Sequence, residues 1–97
     1  MFDITMAGEE LTVTFPEKMD TVTCQKHEHE IGQKLAQGCK SVTFDLAGVD
    51  YVCSYFLRIC MRAAQAVGKD HFAVANVTPE VKRVLKISGL DGQITIR

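Results

Sequence analysis

After two β-rich runs, the chain alternates short apolar segments with amphipathic ones of helical period, and this alternation most restricts its fold. "SVTFDL" (41–46), "HFAVANV" (71–77) and "QITIR" (93–97) read as strands. Helical segments separate them. From Ser54, a step of 100° per residue puts Phe56, Cys60, Ala63, Ala64 and Val67 on one face and Arg58, Arg62 and Gln65 on the other, and Gly68 ends the helix. "TPEVKRVLKISG" offers Thr78 as N-cap, Pro79 at the first helical position, Val81, Val84, Leu85 and Ile87 as apolar anchors, and Gly89 as a stop. An earlier helix begins near Thr23, carries Cys24, Ile31 and Leu35 on one side, and stops at Gly38. Ahead of it, "FDITM" and "ELTVTF", split by "AGE", have the spacing of a hairpin.

The order ββαβαβαβ predicts an α/β fold, a mixed sheet with helices packed on it, as one domain over residues 1–97. In such sheets, function gathers in the loops at the carboxyl ends of the strands, and Asp50 to Ser54 is one of those loops.

Composition removes several classes of function. Eleven Lys/Arg against twelve Asp/Glu give a net charge of −1, with no basic concentration to hold nucleic acid. No apolar stretch nears the roughly 20 residues that span a bilayer, and the acidic start lacks the pattern of a signal peptide, so a cytoplasmic protein without membrane insertion is expected. Cys24, Cys39, Cys53 and Cys60 form no C-x-x-C pair and read mostly as small buried thiols kept reduced. In "HEHE", His27 and His29 project about 200° apart on a helix and cannot share one ion. His27 instead aligns with Ile31 and Leu35 as a partly buried residue. No metal or cofactor is expected, since phosphate-binding glycine loops are absent too. Asp20, Asp45 and Asp50 come with no histidine positioned to activate Ser54, so the chain reads as a non-enzyme.

Two segments point to a family. "FDLAGVDYVCSYFL" resembles the strand, short loop and "D-S-S-G-L" helix start of the STAS domain, and "VTPEVKRVLKISGLDGQITI" resembles its last strand end, helix and "G-L" turn. Asp20 falls where that family commonly has an acidic residue before the first helix. The likeness extends over nearly the whole chain. It implies a regulatory module like the anti-sigma factor antagonists, which bind an anti-sigma factor with serine kinase activity and release it when the serine heading the second helix is phosphorylated. Ser54 matches that serine by position. The motif is degenerate, with Cys53 for the Asp, Tyr55 for the second Ser and Phe56 for the Gly, while Leu57 is retained. Antagonists also usually carry a final helix after the strand that here ends at Arg97. The rival within the family is a non-phosphorylated subunit that holds the ATPase of a lipid-transport ABC complex. A small-ligand or redox sensor using Cys53 and Ser54 is the reading from another class.

Helix chemistry gives Ser54 a second role, as an N-cap worth about 1 kcal/mol. By phase, Tyr55 projects away from the apolar face beside Arg62 and is expected to be an interface anchor, while Phe56 turns inward to fill the space under the helix start. Cys53, beside a helix N-terminus, is the cysteine expected to be reactive. The expected partner surface comprises Asp20, Asp50, Cys53, Ser54, Tyr55, Arg58 and Arg62.

Overall fold

A computed structural model describes residues 2–97. The opening hairpin pairs β1 (Asp3–Ala7) with β2 (Glu10–Thr14) in antiparallel register, Ala7 facing Glu10. Gly8 makes the turn at φ 62°, a value that suits the first central residue of a two-residue loop and costs an L side chain strain. β4 (Ser41–Asp45), β6 (Phe72–Ala75) and β7 (Thr95–Ile96) then add in parallel, giving the sheet order β1-β2-β4-β6-β7. The helices α1 (Thr21–Ala36), α2 (Ser54–Val67) and α3 (Pro79–Ile87) connect them. The expected mixed α/β architecture is therefore present.

Strand alternation assigns the two faces of the sheet. Leu11, Val13, Val42, Phe44, Phe72 and Val74 are buried on one face and join the helices' Ile31, Phe56, Ile59, Cys60, Ala63, Val81 and Leu85 in one core. In the opposite phase, Thr12, Thr43, Ala73 and Thr95 line up across the sheet outside that core. Four phenylalanines fill its centre. Phe44 meets Phe15 and Phe72 edge-on at 5.0 and 4.9 Å between ring centroids, and Phe56 meets Phe15 at 5.2 Å. These spacings suit edge-to-face packing of aromatic quadrupoles.

The structure departs from the sequence expectations in several places. α1 starts at Thr21, two residues early, because the Asp20 carboxylate accepts the Thr23 N–H at 2.9 Å and caps the helix there. Ile87 is 79% exposed at the end of α3, where Val81 and Leu85 already fill the contact with the core. Two further strands of two residues each, β3 (Lys18–Met19) and β5 (Tyr51–Val52), pair in parallel beside the main sheet.

Candidate functional site

The short β3–β5 ladder builds the site. Each of its strands runs directly into a helix, β3 into α1 and β5 into α2, and the two strands are parallel. The N-termini of both helices must therefore emerge side by side at one end of the molecule. Backbone bonds from Asp50 N–H to the Glu17 carbonyl (2.9 Å) and from Cys53 N–H to the Met19 carbonyl (3.1 Å) extend the pairing past both ends of the ladder. Thr78, the N-cap of α3, donates its hydroxyl to the Val49 carbonyl at 3.1 Å and so ties the loop before β5 to the third helix.

This pairing also corrects the expected capping role of Ser54. Because Cys53 is held by Met19, it stays extended at φ −105°, ψ 175° and becomes the N-cap, so the helix begins at Ser54, one residue earlier than a Ser54 cap would start it. Ser54 is the first helical residue and is exposed. Phe56, two residues on, is fully buried beneath it, as its helical phase indicates.

Tyr55 does not project freely. Its hydroxyl donates to Glu28 Oε1 on α1, and Arg62 Nη1 donates to Glu28 Oε2 at 3.2 Å, so one carboxylate clasps α2 at its first and third turns. The hydrogen bond to Glu28, followed by desolvation, raises the Tyr55 phenol above its ordinary pKa. Arg58 lies over the Tyr55 ring at 5.6 Å from the centroid. No sequence motif marks Glu28, which stands between the two histidines of "HEHE". Its only legible signal was its place one turn after Cys24, on the side of α1 that faces α2. His27 is half-buried and stacked on Phe2 at 3.8 Å, and burial lowers its pKa.

The three aspartates have structural partners. Asp20 caps α1, and the Thr23 N–H holds its carboxyl below the usual range. Asp50 accepts Lys18 Nζ at 3.0 Å, which raises the lysine's pKa. Asp45 accepts the Ala47 N–H and the Asn76 amide, both at 3.0 Å, and so pins the loop after β4 to the end of β6. Exposed Val22 and Tyr51, at 73% and 49%, add apolar surface close to the paired helix starts.

The thiols divide by burial. Desolvation and the neighbouring Cys53 push Cys24 up to about 12, and desolvation raises Cys60 further. At Cys53 desolvation also pushes upward and is the largest single influence. The N–H groups of Phe56 and Tyr55, the Thr21 hydroxyl and the Cys24 thiol together outweigh it, so the Cys53 pKa falls below the ordinary thiol value. Thus Asp20, Asp50, Cys53, Ser54, Tyr55 and Arg58 lie at or next to the paired helix starts and Arg62 stands two turns along α2, with Tyr55 and Arg62 already engaged by Glu28.

The profile of the STAS domain matches residues 2–97, and the chain belongs to that family. Among solved structures, an anti-sigma factor antagonist from Mycobacterium paratuberculosis superposes with a TM-score of 0.86 at 24% identity, covering 99% of this chain and 83% of the other. A STAS domain protein from Planctomyces limnophilus gives 0.85 at 20% identity, covering 99% and 87%. The antagonist SpoIIAA in its unphosphorylated form gives 0.83 at 15% identity, covering 100% and 88%. At these identities the likeness establishes the shared fold. Curated protein sequences contain no match to the chain.

Proposed function

We propose that this protein is a regulatory module that works by binding a protein partner, an anti-sigma factor with serine kinase activity, through the surface formed by the N-termini of α1 and α2. Ser54 is the phosphate acceptor that switches binding off. The observation that carries this reading is the placement of an exposed Ser54 as first residue of α2, flush with the capped start of α1, in a chain of the STAS family.

The local chemistry suits such a switch. A phosphate on Ser54 brings a charge of about −1.5 to −2 to a helix N-terminus, where free N–H groups and the helix dipole favour an anion. Arg58, one turn along at i+4, lies on the same side of the helix as Ser54 and so within reach of that charge. The helix therefore tolerates the modification. A partner docked over Asp20, Asp50, Tyr51 and Ser54 would have to bury the new charge beside two carboxylates, which opposes binding. The module is read as a binder, with Asp20, Asp45 and Asp50 each serving a structural partner. The surroundings are read as cytoplasmic, and no described helix is long and apolar enough to cross a membrane.

The test is to capture partners from a native lysate on the tagged chain and on Ser54→Asp, and to measure the intact mass of the protein from its own cells. An ATPase-type kinase held by the native chain and released by Ser54→Asp, with a mass gain of about 80 Da mapping to Ser54, is the expected result. Capture of a transporter ATPase by both forms, with Ser54 unmodified, would favour the ABC-subunit reading instead.

A further inference from the structure

Cys24 and Cys53 are 29 residues apart in sequence, yet their sulfurs lie 3.9 Å from each other across the junction of the two helix starts. Cys53, the N-cap of α2, is half-buried, whereas Cys24, in the first turn of α1, is fully buried. The Thr21 hydroxyl points at the Cys53 sulfur from 3.8 Å, and the Cys24 thiol has the Met19 carbonyl at 3.7 Å as its other neighbour. We propose that Cys53 and Cys24 form a peroxide-responsive thiol pair, Cys53 being the site oxidised and Cys24 the thiol that resolves it to an intramolecular disulfide.

The chemistry balances with hydrogen peroxide as the oxidant. The Cys53 thiolate attacks one peroxide oxygen, the O–O bond breaks, and hydroxide departs and takes up the proton lost by the thiol, leaving a sulfenic acid and one water. The Cys24 sulfur then attacks the Cys53 sulfur and expels the sulfenic oxygen as hydroxide. That hydroxide accepts the Cys24 proton and leaves as a second water. One peroxide is reduced by two electrons as two thiols become one disulfide.

The two cysteines have the asymmetry this sequence needs. Cys53 is the accessible thiol with the lowered pKa, which favours the thiolate that reacts first. Cys24 is shielded from solvent peroxide but already in contact with the sulfur it must reach. Bond formation requires the sulfurs to close from 3.9 Å to about 2.05 Å, a movement within the range of side-chain rotation and a small shift at the helix starts. Among the described residues Cys24 and Cys53 form the one sulfur–sulfur contact within hydrogen-bonding reach; fully buried Cys60 and Cys39, past the far end of α1, have none.

The bond would fasten the start of α2 to the first turn of α1 in the middle of the docking surface. Its effect on docking rests on the function proposed above, whereas the bond itself does not. The reduced chain is treated with about one equivalent of hydrogen peroxide, denatured, alkylated and mapped by peptide mass spectrometry. The expected product is a peptide pair linked through Cys24 and Cys53, with Cys39 and Cys60 alkylated. In Cys24→Ala, Cys53 should stop at a sulfenic acid trapped by a 1,3-dione, and in Cys53→Ser, at a half-buried position, Cys24 should stay reduced. Four alkylated thiols after peroxide, a link between two chains, or oxidation of Cys24 in Cys53→Ser would overturn the proposal. The map needs no partner, so it can succeed or fail independently of the docking reading.

Discussion

Replacing Phe56 by alanine probes how the start of α2 is held in place. The ring is fully buried, packs edge-on against Phe15 at 5.2 Å and lies 6.2 Å from Phe44. A buried phenylalanine removes about 150–250 Å² from water, which at about 25 cal/mol per Å² amounts to about 4–6 kcal/mol. Partial collapse of the cavity recovers some of this, and core Phe→Ala changes cost about 3–5 kcal/mol. We expect about 4 kcal/mol for Phe56→Ala, a large part of the about 5–15 kcal/mol that stabilises a typical domain. At about 4–8 °C per kcal/mol for a domain of this size, the melting temperature should fall by about 15–30 °C. Urea unfolding followed by far-ultraviolet circular dichroism is the suitable assay, because the chain has no tryptophan. The midpoint should move with little change in slope. A loss below about 1.5 kcal/mol would refute the reasoning, because it would mean that the ring does not fill the space under the helix. Ser54→Ala supplies the contrast two residues away, and should stay within about 0.5 kcal/mol because the side chain is exposed and the cap is Cys53.

Two further perturbations address the helix starts. The carboxyl of Asp20 is depressed in the folded state, so its contribution is fully present above the unfolded aspartate value, near pH 4, and is lost as pH falls through the folded value. Asp20→Asn keeps a capping oxygen without the titration, so its stability should fall less than that of the native chain between pH 5 and pH 2, at about 0.1 M salt, in parallel urea titrations. Equal losses would show that Asp20 is not linked to folding. Tyr55→Phe removes the donor to Glu28 while keeping the ring, and should speed hydrogen exchange in the first turns of α1 and α2 without unfolding the core; unchanged protection would mean that the clasp does not hold the helices together.

What the sequence disclosed follows from the range of the interactions involved. α3 was legible because Thr78, Pro79 and the spacing of Val81 and Leu85 act within one helix, and the strands around Phe44 and Phe72 because apolar runs identify buried strands. β3 and β5 were not, since two residues carry no period and these strands exist only through pairing across more than thirty positions. That omission accounts for the capping error, because the pairing keeps Cys53 extended and hands the cap to it instead of Ser54. The Glu28 partner of Tyr55 was hidden for a similar reason. Helical phase says which way a side chain leaves its own helix, not that Glu28 waits on another one 27 residues away. The neighbourhood of Cys24 and Cys53 had no local signal at all. The family resemblance named the candidate residues as a set, while their bonding to one another required the fold.

The central claim is that Ser54 is a switch on a docking surface and not a structural residue. Its most direct measurement is the affinity of Ser54→Asp for the partner captured by the native chain, taken together with a thermal melt of the same sample. The account predicts a melting temperature within a few degrees of the native chain, since an acidic group at a helix N-terminus is worth about 0.3–1 kcal/mol in its favour, and an affinity at least about tenfold weaker. An intact fold that binds with native affinity would contradict it.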